Sequence, residues 1–275
     1  MFNKLINTNA DGGSPAAPVI TNTVQFNGTS SPSSGLKDVL YKQPTTTSNR
    51  RTWTWSGWVK RLSTSNTGFG MIWQASNFST SAGLDGLINC NWKSTGEFGF
   101  YTAVGGGGGQ QDAIRTTNQF TDITKYHHIV FILDTTNPTA ADRTRIYYDG
   151  IRQPVVIETG AGNPPLNNEY DVNLSGEYQM IGQYAYASNY TNSFYGRMAL
   201  IDFVDGQALE PSNFGGDVPG IGWCPKTYTG SFDTNGYRFY FANSSSLGTD
   251  TSGNANNYST NGLDAGDVNS ESVPF

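Results

Sequence analysis

Few residues in this chain can do chemistry, and their spacing narrows the reactions open to it. Two histidines occur, His127 and His128. Neighbours on a strand point to opposite sheet faces, so this pair cannot hold one metal together. One reads as a core or hairpin histidine and the other as a surface histidine. Two cysteines, Cys90 and Cys224, make no disulfide framework and neither adjoins a histidine in sequence, so both read as buried free thiols. Asp202 and Asp205 are an acid pair, yet their odd spacing puts them on opposite faces of a strand. Hydrolysis of a glycosidic bond needs two carboxylates flanking that bond. Asp205 therefore reads as a strand-end turn acid and Asp202 as a satisfied polar contact. The run Gly105 to Gly109 is a loop rather than a phosphate cradle, because no helix start or Lys-Ser/Thr follows it.

Sugar binding asks for something different: an exposed ring for the apolar face of the sugar, with amides and hydroxyls around it. Tyr184, Tyr186, Tyr190 and Tyr195 lie in a polar loop region that fits this description, and Trp92 at a strand end is a second candidate. Tyr-rich loops also make protein contacts, where tyrosine gives area at low entropic cost. Both readings stand.

The elements that must position these residues are strands. Trp53, Trp55 and Val59 fall on one face of Thr52 to Val59, with Thr52, Thr54 and Ser56 on the other. Gly68 to Gln74, Leu84 to Trp92 and Glu97 to Thr102 follow as strands separated by polar turns. Ile129 to Leu133 is a continuous apolar run, the pattern of a strand buried on both faces. Arg143 to Tyr148 leads through Asp149-Gly150 into a tight hairpin. The one helical fragment, Glu210 to Phe214, is about a turn long, so the class is all-β. Residues 1–22, with Gly12-Gly13-Ser14-Pro15, read as an extended arm. Residues 23–214 read as the main domain and 215–275 as an extension packed on it or on a partner.

Composition narrows the partners. Of 275 residues, 13% are aromatic and 14% charged, with a net charge of −6. Rings fill the core and neutral Ser, Thr, Asn, Gln and Gly cover the surface. The cluster Arg50-Arg51 with Lys60-Arg61 is too small to track a phosphate backbone, which argues against nucleic acid. No apolar run approaches the ~20 residues of a membrane span. The start, Met1-Phe2-Asn3-Lys4, lacks the apolar segment of a secretory signal, and synthesis and folding in a cytoplasm are expected.

Four segments occur in order: Trp53-Thr54-Trp55-Ser56-Gly57-Trp58-Val59-Lys60, Tyr126-His127-His128-Ile129-Val130, Arg145-Ile146-Tyr147-Tyr148-Asp149-Gly150, and Phe203-Val204-Asp205-Gly206-Gln207-Ala208-Leu209. Together they resemble the concanavalin A-like lectin/glucanase superfamily, in the laminin-G-like form found in tailed-phage structural proteins. The later segments Pro225 to Gly230, Asn235-Gly236-Tyr237 and Gly248 to Asn254 resemble the tails of the same group. The resemblance implies a jelly roll of two curved antiparallel sheets and a place on a virion surface as head decoration, head fibre or tail fibre. It implies as partners other virion proteins, further copies of the chain and host surface glycans. Glucanases of the superfamily carry a Glu-x-Asp-x-Glu run, which is missing here, so the expected protein is not an enzyme. Lectins of the superfamily often hold calcium with Asp and Asn oxygens. Asp250, Ser252, Asn254 and Asn256 alternate around Gly253 in a loop able to wrap such an ion, although Asx-turn chemistry accounts for the same residues. A free-standing carbohydrate-binding module is the alternative.

Overall fold

The computed structural model describes residues 20–28, 37–64, 70–76, 86–103, 112–158, 161–186 and 189–269. The N-terminal arm up to residue 19 and the glycine run lie outside them. In chain order the first strands are β1 (Thr23–Asn27), β2 (Val39–Lys42), β3 (Thr52–Arg61), β4 (Gly70–Ser76), β5 (Ile88–Trp92), β6 (Phe98–Thr102) and β7 (Asp112–Thr116). There follow β8 (His127–Asp134), β9 (Thr144–Tyr148), β10 (Ile151–Arg152), β11 (Val155–Ile157), β12 (Tyr178–Ile181), β13 (Tyr184–Tyr186) and β14 (Asn189–Thr191). The last are β15 (Tyr195–Asp205), β16 (Gly215–Val218), β17 (Gly222–Pro225), β18 (Tyr237–Phe239), β19 (Ser259–Asn261) and β20 (Val268–Asn269).

Two antiparallel sheets face each other as a jelly-roll sandwich. The first runs β10-β9-β8-β3-β15-β1-β20, with β18 also on β15, and the second runs β11-β7-β6-β5-β4-β12-β2-β19. Helix among the described residues is limited to single 3-10 turns, such as Pro211–Asn213. Residues beyond 214 supply β18 and β20 to the first sheet and β19 to the second.

Alternation along β3 decides what lies between the sheets. Trp53, Trp55 and Val59 enter the common core with Trp73, Trp92, Phe98, Phe100, Phe131 and Phe203, while Trp58 faces the other way into a separate cluster. That outer face of the first sheet is covered in turn by the chain after β15. Thr54 Oγ1 donates to Gln207 O and accepts from Leu209 N, each at 2.8 Å. Ala208 packs on Val130 and Ile132, and Phe214, Tyr228 and Phe232 pack on Val204. Every residue of β8 from His127 to Leu133 is buried, which is why its sequence is apolar without alternation.

β15 changes partner part-way along. Tyr195 to Met198 pair with β1 and Ile201 to Phe203 with β18, on the same edge. The change falls at a bulge between Ala199 and Asp202, where Leu200 takes a positive φ of 45°, a conformation unfavourable for any residue but glycine. The bulge delivers Asp202 to Arg238 of β18. The guanidinium meets the carboxylate through two hydrogen bonds of 2.6 and 2.7 Å, with both side chains almost fully buried. Removing one member of such a pair leaves an uncompensated charge inside the protein. Arg238→Met should therefore cost about 3–5 kcal/mol in denaturant unfolding, and the double variant Asp202→Leu/Arg238→Met should recover most of that loss.

Candidate functional site

The registers of the second sheet assemble a face that no single strand reveals. Ile88, Cys90 and Trp92 of β5 enter the core, so Asn89 and Asn91 point outward. Directly opposite residues share a face, and the pairings Tyr41–Met180, Met180–Gln74, Gln74–Asn89, Asn89–Tyr101 and Tyr101–Ala113 form one transverse row. A second row runs Met71–Asn91–Gly99–Arg115–Val156. At about 4.8 Å per strand, Tyr41 and Tyr101 stand roughly 19 Å apart with the amides between them.

Gln74, Ser76, Asn89 and Asn91 form a polar floor whose side chains are almost fully buried. Gln74 Nε2 donates to Ser76 Oγ (2.6 Å) and Asn91 Nδ2 to Asn89 Oδ1 (2.9 Å). Asn91 Oδ1 is buried with no hydrogen-bond partner, a state that buried acceptors rarely keep. The Tyr101 ring packs over Gly99 beside it. A Cβ at that position would lie 2.4 Å from the Tyr101 ring and 2.9 Å from Asn91 Oδ1.

One end of the floor is a charged rim. Lys93 pairs with Glu158 and its Nζ lies 5.4 Å from the Tyr101 ring centre, while the Tyr101 hydroxyl donates to Glu158 Oε1 at 3.3 Å. Arg115 reaches both Glu97 and Glu158, each at 3.5 Å. The two cations of the rim are thus offset by two carboxylates. Burial pushes the Glu97 carboxyl up, but hydrogen bonds from Thr95, its own backbone NH and Gln119, with the Arg115 charge, outweigh this and hold it below its ordinary value. Burial raises the Tyr101 phenol against the pull of Lys93.

A family model described as the concanavalin A-like lectin/glucanases superfamily matches residues 37–207, well over half of the chain. The chain belongs to this superfamily. A comparison with curated proteins gives no match. Among solved structures, the Ruminococcus gnavus IT-sialidase CBM40 is similar at 10% identity, covering 64% of this chain and 94% of that one, with a TM-score of 0.44. A NanB sialidase from Streptococcus pneumoniae is 10% identical over 72% of this chain and 29% of its own, TM-score 0.46. Domains LG4-5 of mouse laminin alpha1 are 12% identical over 75% and 46% of the two chains, TM-score 0.42. Similarity at this level is one of shape and assigns none of their ligands here.

Against the superfamily's chemistries, the residues singled out in the sequence fare differently. Trp92 is not an exposed sugar platform. It is 1% exposed, on the core side of β5, and its indole NH is shared between Gly96 O (3.0 Å) and Phe120 O (3.2 Å). Tyr184 and Tyr195 are half-buried. Tyr184 and Tyr186 stand in β13 and Tyr190 in β14, where Tyr190 is paired with Ala185 rather than with either tyrosine. The side chains of Tyr186 and Tyr190 lie outside the described part. The loop at Asp250, Ser252, Asn254 and Asn256 is no calcium cage. Asp250 Oδ1 accepts from the NH of Arg238 and of Ser252, and Oδ2 from Ser252 Oγ and the NH of Asn256, at 2.8–2.9 Å. Both oxygens face donors, and the amides of Asn254 and Asn256 both donate to Gly236 O, so the loop braces β18.

Asp202 and Asp205 form no hydrolytic pair. Asp202 is held by Arg238, and Asp205 accepts from Asn173 Nδ2 (2.8 Å) and Asn235 N (3.0 Å). Glu169 and Asp171, two residues apart and passed over in the sequence, share Arg50, and Glu169 also takes Arg51. Cys90 and Cys224 are free and buried.

Neither histidine is at the surface. His127 is 3% exposed with Nδ1 2.8 Å from Asp149, because Tyr148 stacks on its ring. His128 is fully buried beneath Trp223, where its ring lies 2.8 Å from Ser56 Oγ. This contact has the spacing of a nucleophile–base dyad but the opposite polarity. Trp223 Nε1 donates to His128 Nδ1 at 3.0 Å, so the ring proton sits on Nε2 and points at the serine. A base would need that nitrogen bare.

Burial brings His128 down to about 3 against a weaker opposing pull from Asp149. The unfolded chain takes up this proton near pH 6.5 and the folded chain only near pH 3. The stability carried by the neutral ring is therefore complete above 6.5 and declines as pH falls toward 3. His128→Gln should flatten the stability–pH curve across that window, by a difference on the order of 4 kcal/mol between its ends, in denaturant titrations at stepped pH.

Proposed function

We propose that this chain is a non-catalytic glycan-binding protein whose ligand lies along the outer face of the second sheet. The unpartnered Asn91 Oδ1 carries this reading. It is a buried acceptor set among further amides and a tyrosine, and a sugar hydroxyl that reaches it as the side chains over the floor part would supply the donor it lacks. The Asn89 amide nitrogen adds a donor beside it, as a polyhydroxylated ligand demands. Because Lys93 and Arg115 are already matched by Glu158 and Glu97, the ligand is a neutral glycan. A glycosidic general acid needs a raised pKa, and Glu97 is shifted the other way, which supports binding without cleavage.

The biological setting we propose is a virion surface, with the chain as head decoration or head fibre and other virion proteins as neighbours. The ordered segments around Trp53, His127, Tyr147 and Asp205 support it. Many weak sites on one particle give tight attachment without strong single contacts.

In calorimetric titration with neutral oligosaccharides, Asn91→Ala and Tyr101→Ala should each weaken binding about tenfold, the effect of one lost hydrogen bond at the upper end of its range. Reducing-sugar assays should show no release. Absence of any neutral-glycan binding by the unaltered chain sinks the reading. For the setting, quantitative mass spectrometry of purified particles should give a simple ratio to the major shell protein. A far lower ratio moves the chain to the tail, and absence removes the virion role.

A further inference from the structure

Among the described residues the arginines are consistently matched, with one exception. Arg50, Arg51, Arg115, Arg145, Arg152 and Arg238 each face a carboxylate. Arg143 is held by three backbone carbonyls and Arg197 by Gln25 Oε1. Arg61 is different. It continues the alternation of Trp53, Trp55 and Val59 and so lies on the core side of β3, at the end of the sandwich. It is 5% exposed and its Nη1 has no hydrogen-bond partner. Among the described residues no carboxylate lies within ion-pair reach of it.

Its one contact of note is aromatic. The guanidinium carbon lies 5.1 Å from the Trp92 ring centre. That ring is fixed by its own NH on Gly96 O and Phe120 O. On the neighbouring strand Arg61 is opposite Gly196, over which the Phe194 ring lies, since a Cβ there would meet that ring at 2.5 Å. Among the described residues the surroundings are thus two aromatic walls and a glycine, with a single cation.

A lysine in such a place can shed its proton, but a guanidinium does not. Burying it unmatched costs far more than one cation–π contact returns. We infer that Arg61 is the anchor of an oxyanion site at this end of the sandwich, and that its ligand is a carboxylate group carried by a partner molecule. The guanidinium fork matches carboxylate and phosphate oxygens alike. One cation between apolar walls balances a single negative charge, which favours the monoanionic carboxylate over sulfate or doubly ionised phosphate. The exposed 5% of Arg61 is the side from which the anion enters. The site is independent of the amide floor, and either can fail without the other.

The test is thermal unfolding of the full chain at pH 7 in sodium acetate, sodium glucuronate, sodium sulfate or sodium chloride at matched ionic strength. Either carboxylate salt should raise Tm saturably, by about 3 °C at a tenfold excess over Kd, and chloride should not. Arg61→Met should abolish the rise while unfolding at or above the wild-type temperature in chloride, because it removes an unmatched charge. A flat response of the wild type to both carboxylates overturns the site, as does an equal response in the variant. An equal response to sulfate overturns the assignment to a carboxylate. Arg61→Met that unfolds well below the wild type, or fails to fold, makes Arg61 a structural cation and overturns the proposal too. Line broadening of 13C-acetate by the wild-type chain checks binding without any variant.

Discussion

The sandwich depends on one aromatic contact between its sheets. Trp53 of β3 and Trp73 of β4 meet at 4.9 Å between ring centres, and Phe203 of β15 stacks on both at 5.8 and 5.4 Å. Tyr237 of β18 extends the stack at 5.3 Å from Phe203, with its hydroxyl accepting from the Trp73 indole NH at 3.1 Å. Large rings bury much area per residue and their edges and faces attract, so four strands from two sheets are registered at one point. Because strand side chains alternate, fixing which residues of β3, β4 and β15 point inward also fixes what faces out. A slip of one residue would exchange the Trp53 row for the Thr54–Ser56 row.

The two outward faces then diverge. On the first sheet the outward residues include Trp58, Val130, Ile132 and Val204, which are apolar and demand cover. The chain after β15 provides it, and several polar groups trapped beneath are matched by that same segment: Thr54 by Gln207 and Leu209, His128 by Trp223, Asp202 by Arg238. On the second sheet the outward residues mix the polar Gln74, Ser76, Asn89 and Asn91 with Met71, Met180, Tyr41 and Tyr101. The C-terminal segment also reaches the second sheet, where β19 pairs with β2 and the Tyr258 hydroxyl donates to Gln179 Oε1 at 2.8 Å.

Much of the architecture was legible because alternation is a local signal. Thr52 to Val59 announced its two faces, and Ile129 to Leu133 announced burial on both. The site was far less so. Ile88-Asn89-Cys90-Asn91-Trp92 displays the alternation, but outward amides on a strand are the ordinary solvent-facing pattern. They become a row only through registers with β4 and β6, which join residues 74, 89 and 101 and have no local trace. Trp92 looked exposed because a strand end is where chains emerge. The carbonyls of Gly96 and Phe120 that close on it come from a hairpin and a distant loop. Asp250 with its alternating Ser and Asn neighbours fits a cation loop and a brace equally well in sequence. Only the direction of the surrounding NH groups separates the two.

The same polarity argument bears on what the fold can do. Ser56 beside His128, and Asp250 among its neighbours, have the composition of reactive sites, yet in each the protons lie where the structure needs them. The ring proton of His128 points at the serine, and the oxygens of Asp250 are taken by NH donors. Hydrogen bonds that satisfy a buried group remove it from chemistry, since a partner already bound must be displaced before another can enter. By that measure the groups still available are those the fold leaves incomplete. Asn91 Oδ1 is such a group on the second sheet, an acceptor without a donor. Neutral hydrogen bonds return little each, so on the proposed glycan reading such a face would discriminate by the number and direction of its hydroxyl partners and gain strength from repetition across copies.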